Sequence, residues 1–357
     1  MKVNFATTWE SQCGVANYSR ELVGELAKKV NIEIVSLDFS TAPKVGELAA
    51  KLNSGDLAHV QFQYPFCGGM RFHRNWFPKL LRDIRVPLVV TIHELDLGDN
   101  ELLFWRIYKR WLNNRLFAQP EIDRLIVHSS EHRRKILNLG VEPEDIRIIP
   151  LWVPKVVHID ISQEEAKASL GLSGRKVVTI FGFVVKRKGY DLALDSLCSW
   201  PADTVLLIAG GPHVCDRTDY FSHLQQRIDR ERLSDRVRIT GYVSDDDVPV
   251  VMAATDLVAA PFIEMSSSWS MMYAIAYGKP IIASNLPQNQ ELNSHAHCLV
   301  LFKAGSSRDF AQKLGEVIQD KSRLEALSTA ARNYAATRTV VHAAKETLKV
   351  YEELVVA

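Results

Sequence analysis

Short apolar runs alternate with longer amphipathic stretches along the whole chain, and this alternation points to an α/β fold. In the first half the runs fall at 2–6, 32–37, 57–61, 87–92, 124–128 and 146–149. Their Ile, Val and Leu content suits strands buried on both faces of a parallel sheet. Helical patterns lie between several of them, as at 16–29 and 130–139. After Pro150 the chain reads Leu151-Trp152-Val153-Pro154, and two prolines within five residues discourage helix and mark a linker. The alternation then restarts. Strands are expected at 176–181, 204–209, 237–240, 257–260, 280–283 and 298–302, and helices at 190–199, 220–231, 270–277, 307–320, 324–337 and 339–354. Two doubly wound domains in series are the simplest reading. Length agrees, since 357 residues suit two domains of roughly 100–200 residues each.

Composition narrows the function. Lys plus Arg number 43 against 42 for Asp plus Glu, a formal net charge of +1. No strongly basic domain of the kind that binds nucleic acid is visible. Cys13, Cys67, Cys198, Cys215 and Cys298 are scattered, odd in number and form no CxxC pair, so reduced cysteines in a cytoplasmic protein are expected rather than a zinc site or disulfides. The apolar run at 3–6 is too short for a secretory segment. No stretch supplies about 20 uninterrupted apolar residues, so no membrane-spanning helix is expected.

Ligands of open α/β sheets bind at the carboxyl ends of the strands, so the loops there are the candidates for chemistry. The loop 7–16 after the first strand holds Gly14 at a helix start, where backbone N–H groups can approach an anion. It is not GxGxxG, which disfavours a dehydrogenase. A plain strand–helix turn is the bland alternative. The loop after the second half's first strand carries Lys186-Arg187-Lys188 between Gly182 and Gly189, before a helix. Fixed positive charge beside a helix N-terminus suits a diphosphate, although charge runs are commonly just solvated turns. A third loop, 261–270, runs through Ser266, Ser267 and Ser268 into a helix; these hydroxyls can cap the helix or hold sugar hydroxyls. His93-Glu94 follows the strand ending at Ile92, and His59, His128 and Glu131 also fall at or beyond strand ends. Histidine there can polarise a substrate, or be structural.

Taken in order, these segments resemble the retaining GT-B glycosyltransferases of the GT4-like group, glycosyl transferases group 1. Cys13-Gly14-Val15-Ala16-Asn17-Tyr18 is similar to that family's N-terminal glycine loop in its "CGIAxY" subtype. Thr91-Ile92-His93-Glu94 resembles its TxH segment, and Arg187-Lys188-Gly189-Tyr190 its KG loop. The run from Ala274 to Ala283 resembles the helix and strand that follow the family's donor-site glutamates. The resemblance covers nearly the whole chain. It implies two Rossmann-like domains facing across a cleft: an acceptor-binding domain over 1–154, completed by the helix within 339–357, and a nucleotide-sugar-binding domain over 155–338. It further implies transfer of a sugar from a nucleotide diphosphate sugar, UDP- or GDP-linked, to a glycan, lipid-linked sugar or small molecule, with retention of configuration. The donor is a substrate, and no separate cofactor is expected.

Residue by residue, the resemblance assigns Lys188, Arg187 and Gly182 to the diphosphate, with Gly14 and Val15 approaching it from the other domain. His93 falls near the transferring sugar, and Val243 where backbone contacts to the base are expected. Cations would stabilise the departing diphosphate, so no metal is expected; Asp245-Asp246-Asp247 reads as an acidic helix cap. Two departures stand out. Val185 occupies the position of a usual arginine, which Lys186 or Arg187 would replace. The family's two glutamates, spaced E-x7-E, align with Met265 and Tyr273, with Glu264 one residue from the first. Glu264, Ser267, Ser268 and Tyr273 are therefore the candidates at that edge, with Glu291 a further carboxylate. The altered pair supports a rival reading, a non-catalytic nucleotide-sugar-binding or scaffold subunit; a sugar-nucleotide epimerase is a third.

Two stretches mix cations with aromatics: 71–85, with Arg71, Arg74, Lys79, Arg82 and Arg85 around Phe72, Trp76 and Phe77, and 104–117, with Arg106, Lys109, Arg110 and Arg115 around Trp105, Tyr108 and Trp111. Such segments can lie on an anionic membrane as a peripheral contact at its inner face. The favoured reading here is that the aromatics pack on the first sheet beneath a solvated cationic face.

Overall fold

The computed structural model describes residues 1–11, 13–37, 43–99, 101–212, 218–265 and 267–355. It holds two six-stranded sheets in which every strand pair is parallel. In the first, β1 (Lys2–Thr7), β2 (Asn31–Ser36), β3 (Leu57–Phe62), β4 (Leu88–Ile92), β5 (Arg124–Val127) and β6 (Ile146–Ile148) lie in the order β2-β1-β3-β4-β5-β6. In the second, β7 (Lys176–Phe181), β8 (Thr204–Ala209), β9 (Val237–Ile239), β10 (Leu257–Ala260), β11 (Ile281–Ser284) and β12 (Leu299–Phe302) take the order β12-β11-β10-β7-β8-β9.

All residues of β3, β4, β8, β10 and β11 are buried, as helices covering both faces of a sheet require, and in β3 these include the polar His59 and Gln61. The edge strand β2 alternates in exposure instead. Strand order reverses between β1 and β3 and between β7 and β10. At these switch points the loops leave the sheet in opposite directions, and a crevice opens at the strand ends.

One compact unit comprises Met1–Trp152 with Thr339–Ala357, the other Val153–Arg338. The division falls two residues ahead of the expected boundary at 154: Trp152 is held in the first unit through its indole N–H on Glu21 at 2.8 Å, whereas the Val153 amide donates to the Arg338 carbonyl of the second at 2.9 Å. The last helix, Val340–Val355, packs on the first unit with Val350 and Tyr351 buried. Helices over Val45–Leu52, Phe77–Asp83, Gln163–Ser169, Val248–Ala254 and Pro287–Ala296 were not marked in the sequence. All are short, so few turns of apolar periodicity are available to reveal them.

Cys13, Cys67, Cys198 and Cys298 are free thiols, and Cys215 lies outside the described residues. No helix among the described residues is long and apolar enough to cross a membrane.

Candidate functional site

In the second unit the loops around the β7/β10 switch point converge. Lys186–Lys188 forms a tight turn that ends at Gly189, whose positive φ of 74° places it in the left-handed region. A Cβ on Gly189 would lie 1.9 Å from the Pro261 carbonyl oxygen, so only glycine lets the loops after β7 and β10 touch here. The contact is sealed by the Ile263 amide, which donates to the Arg187 carbonyl at 2.8 Å. Gly210, after β8, backs onto the same place, since its Cβ would meet the Gly182 carbonyl oxygen at 2.1 Å.

Lys188 points into this knot. Its ammonium donates to the Phe181 carbonyl at 2.8 Å and stands 5.9 Å from the Phe262 ring centre. Burial, with the neighbouring Arg187 charge, pulls its pKa down to about 7. Gly182 has a φ of 93°, and a Cβ there would sit 2.7 Å from the Lys188 nitrogen. The glycine thus keeps the ammonium approachable, with donors to spare for an anion. Gly182→Ala should displace the lysine tip and also cost about 1–2 kcal/mol for a left-handed alanine. The expected result is a folded protein with a lowered melting temperature and the same loss of anion binding as a Lys188 truncation. Retained binding by calorimetry would place the anion elsewhere.

The other expected residues of this unit sit as follows. Arg187 is exposed, and Val185 leads into the turn. Val243 packs its side chain against the apolar cluster that holds Leu172, Val177, Leu207 and Val251, leaving the backbone as its contribution to any ligand. Ser268 is committed to structure: its hydroxyl accepts from the Met271 amide at 3.3 Å, capping the helix Trp269–Ala276, and bonds Ser270 at 3.0 Å. Ser267 is half-buried beside it, and Ser266 lies outside the described residues. Glu264 is on the exposed part of the loop. Tyr273 lies on the helix with its ring centre 6.0 Å from that of Phe181. Glu291 is on the helix Pro287–Ala296 rather than in a loop. Asp247 precedes its helix without capping it and accepts instead from the Ser244 hydroxyl at 2.6 Å.

The first unit carries a separate polar cluster. Gly14 and Val15 begin the helix Gly14–Leu26, two residues before the expected start, with Cys13 as its cap position and no side chain capping it. His93 follows β4, partly exposed, with Tyr18 edge-on at 4.7 Å and His128 at 5.2 Å between ring centres. Its Nε2–H donates to the Gln61 side-chain oxygen at 2.7 Å. The Gln61 amide nitrogen donates at 3.0 Å to Nε2 of His59, which also bonds Thr91 at 2.7 Å. The proton of His59 therefore rests on Nδ1, shared with the Tyr351 hydroxyl from the last helix. In this orientation Gln61 fixes the tautomer of His93 and leaves its Nδ1 as the ring's acceptor. Burial, then the nearby His128, His59 and His132, holds the His93 pKa well below its usual value, so it is neutral at physiological pH.

One correction follows in this unit: His59 is inside β3 and fully buried, not at a strand end. Glu131 does lie just beyond β5, where it pairs with Arg134 at 2.7 Å on the helix Ser130–Leu137. Gln61 was missed altogether. The signal was present, for His59 and Gln61 are polar residues two apart in an apolar strand and so share one face. Among the described residues no group of three or more His, Cys, Asp or Glu side chains is arranged to hold a metal ion.

Two parallel α/β units with these strand orders, the second bearing a basic loop at its switch point, define the GT-B architecture. Among solved structures, the chain resembles the Anabaena protein Alr3699/HepE in complex with UDP and glucose, with a TM-score of 0.79, 20% identity and 99% and 100% of the two chains covered. It also resembles sucrose-phosphate synthase from Thermosynechococcus elongatus, at TM-score 0.79 and 16% identity over 99% of each chain. Residues 33–155 match the Glycosyltransferase Family 4 model and residues 162–334 the Glycosyl transferases group 1 model. The two halves of the chain are thus similar, in order, to a Glycosyltransferase Family 4 domain and a Glycosyl transferases group 1 domain. A curated relative, D-inositol 3-phosphate glycosyltransferase of Nocardia farcinica, is 25% identical over 279 residues, 75% of this chain. The match spans 61% of that relative's length.

Proposed function

We propose that this chain transfers a hexose from a nucleoside-diphosphate sugar, UDP- or GDP-linked, to a glycan, lipid-linked sugar or small-molecule acceptor, with retention of anomeric configuration. The observation that carries the reading is the Lys188 ammonium, held over Gly182 where the loops after β7 and β10 meet. As the nucleoside diphosphate departs, negative charge grows on its phosphates. A preorganised ammonium in a poorly solvated loop stabilises that charge without metal. Neutral His93 offers Nδ1 to a sugar hydroxyl, its ring held by Gln61. Of the remaining candidates, Glu264 is the carboxylate assigned to the sugar, Arg187 a second cation, and Ser267, Val243, Gly14, Val15 and Tyr273 contacts to the donor. Ser268 acts through the helix it caps. The fold neighbour whose structure was solved with UDP and glucose supports a uracil nucleotide as the first donor to try.

The test is thermal unfolding with UDP, GDP, ADP, TDP and their sugars, followed by assay of nucleoside diphosphate release with acceptors. A ligand at 100 times its dissociation constant stabilises the native state by about 2.7 kcal/mol. The expected result is one responsive nucleotide, release on acceptor addition, and an axial-to-axial anomeric outcome by NMR with an α-linked donor. His93→Ala should keep donor binding and lose transfer; full activity in this variant removes His93 from the reaction.

A second reading, a binding subunit without turnover, is favoured by Met265 and Tyr273 at the positions of the glutamates. Donor binding with no release across acceptors would select it.

A further inference from the structure

The helix Leu103–Phe117 has two apolar faces, and only one of them meets the core. Leu112, Leu116 and Phe117 are buried against the first sheet. Leu103, Ile107 and Trp111 recur at every fourth residue, so they form a stripe turned away from that core, widened by Phe104. Leu103 is 61% exposed, Phe104 71% and Ile107 59%. Leu102, just before the helix, is exposed as well. The reading in which these side chains cover the sheet is therefore wrong for the first two turns.

The patch is built, not frayed. The helix backbone at Arg106 rests on Gly98, where a Cβ would come within 3.1 Å of the Arg106 Cα. Lys109 ties the helix to Asp96 and Glu101 at 2.5 and 2.8 Å. From the loop between β3 and the helix Phe77–Asp83, Phe72 packs edge-on against Trp111 at 5.0 Å, and its amide donates to the Tyr108 hydroxyl at 3.0 Å.

Charge identifies what covers it. Asp96, Glu101 and Asp99 beside the helix are taken up by Lys109, Lys135 and Arg110. Arg71 and Arg74 flank Phe72, and Arg106 and Arg115 border the stripe; these four are exposed and form no ion pair among the described residues. An aromatic and aliphatic stripe bordered by unpaired arginines matches the boundary between anionic headgroups and acyl chains.

We propose that the outer face of the helix Leu103–Phe117, together with Phe72, docks onto the anionic surface of a lipid bilayer. The proposal rests on exposure and charge and stands whether or not the chain transfers sugar.

Co-sedimentation with vesicles of equal parts phosphatidylglycerol and phosphatidylcholine, compared with phosphatidylcholine alone, tests it. The expected result is binding to the first, weakened by salt, with a blue shift of tryptophan fluorescence. Phe104→Ser with Ile107→Ser should lower vesicle binding at least tenfold without changing the melting temperature, since both side chains are exposed. Arg71→Gln or Arg106→Gln should each lower it about fivefold and only on the anionic vesicles. Failure to bind either vesicle overturns the proposal. So does concentration-dependent self-association that Ile107→Ser abolishes, which would assign the face to a second copy. Equal, salt-insensitive binding to both vesicles would overturn the anionic requirement.

Discussion

Acidification from pH 6.5 to 4.5 is expected to lower the stability of the first unit by about 4 kcal/mol per pH unit at the steepest point. Burial pushes His59 to about 3, His132 to about 3 and His128 to about 4, from an ordinary value of 6.5. His93 is held well down by the same cause and by its histidine neighbours. In the unfolded chain all four take up protons as pH falls through 6.5, while the folded state refuses them. The unfolded state then binds more protons, and stability falls with pH throughout the window. Each such histidine contributes up to about 1.4 kcal/mol per pH unit, so three suffice for the figure given. His128 has partial relief, since its Nδ1 bonds the Ile149 carbonyl at 2.8 Å, but its Nε2 and the His132 Nδ1 are buried without a partner among the described residues. Calorimetric melting of the whole chain between pH 7.5 and 4.5 measures the slope. Carboxylates contribute little above pH 4.5, so a flat profile there would mean that the histidines are hydrated or paired. Replacing His132 by Leu should reduce the slope by one proton.

The second large effect is expected at Lys188. Its pKa of about 7 means that roughly half the ammonium is lost at neutral pH before any ligand arrives. A diphosphate binds the charged form and restores the proton. Affinity for a nucleoside-diphosphate sugar, whose phosphates do not titrate near neutrality, should therefore fall up to tenfold for each pH unit above 7. The decline ends where the pKa of the bound state is reached. Lys188→Ala should bind roughly 10- to 100-fold more weakly at pH 6.5, the cost of one charge-assisted hydrogen bond, and show no such decline. Titration calorimetry at several pH values reads both quantities. Unchanged affinity in the variant would move the diphosphate to other residues.

Much of the architecture could be read from the chain because its sheets are parallel and covered on both sides. Apolar runs such as Leu88–Ile92 and Thr204–Ala209 are unbroken, and their flanks carry turn residues. The loops at the strand carboxyl ends followed from the alternation of strands and helices, which brought Gly182, Lys188 and Gly189 to notice. What the sequence hid depends on tertiary neighbours. The pairing of Gly189 with Pro261 joins loops more than seventy positions apart, and nothing local predicts it. Ser268 looks like a ligand and is a helix cap, because capping and sugar binding call for the same hydroxyl. The aromatics of 104–117 read as core because periodicity shows that a face is apolar, not which way it points.

The return of the helix Val340–Val355 to the first unit also bears on synthesis. The second unit, Val153–Arg338, is complete as soon as it leaves the ribosome, whereas the first, begun earliest, still lacks its final helix. Until Tyr351 emerges, the Nδ1–H of His59 has no phenol to meet and the sheet face that carries it is uncovered. Chains truncated after residue 338 and held clear of the ribosome by an unstructured linker should thus present a finished second unit and a protease-sensitive, chaperone-binding first one.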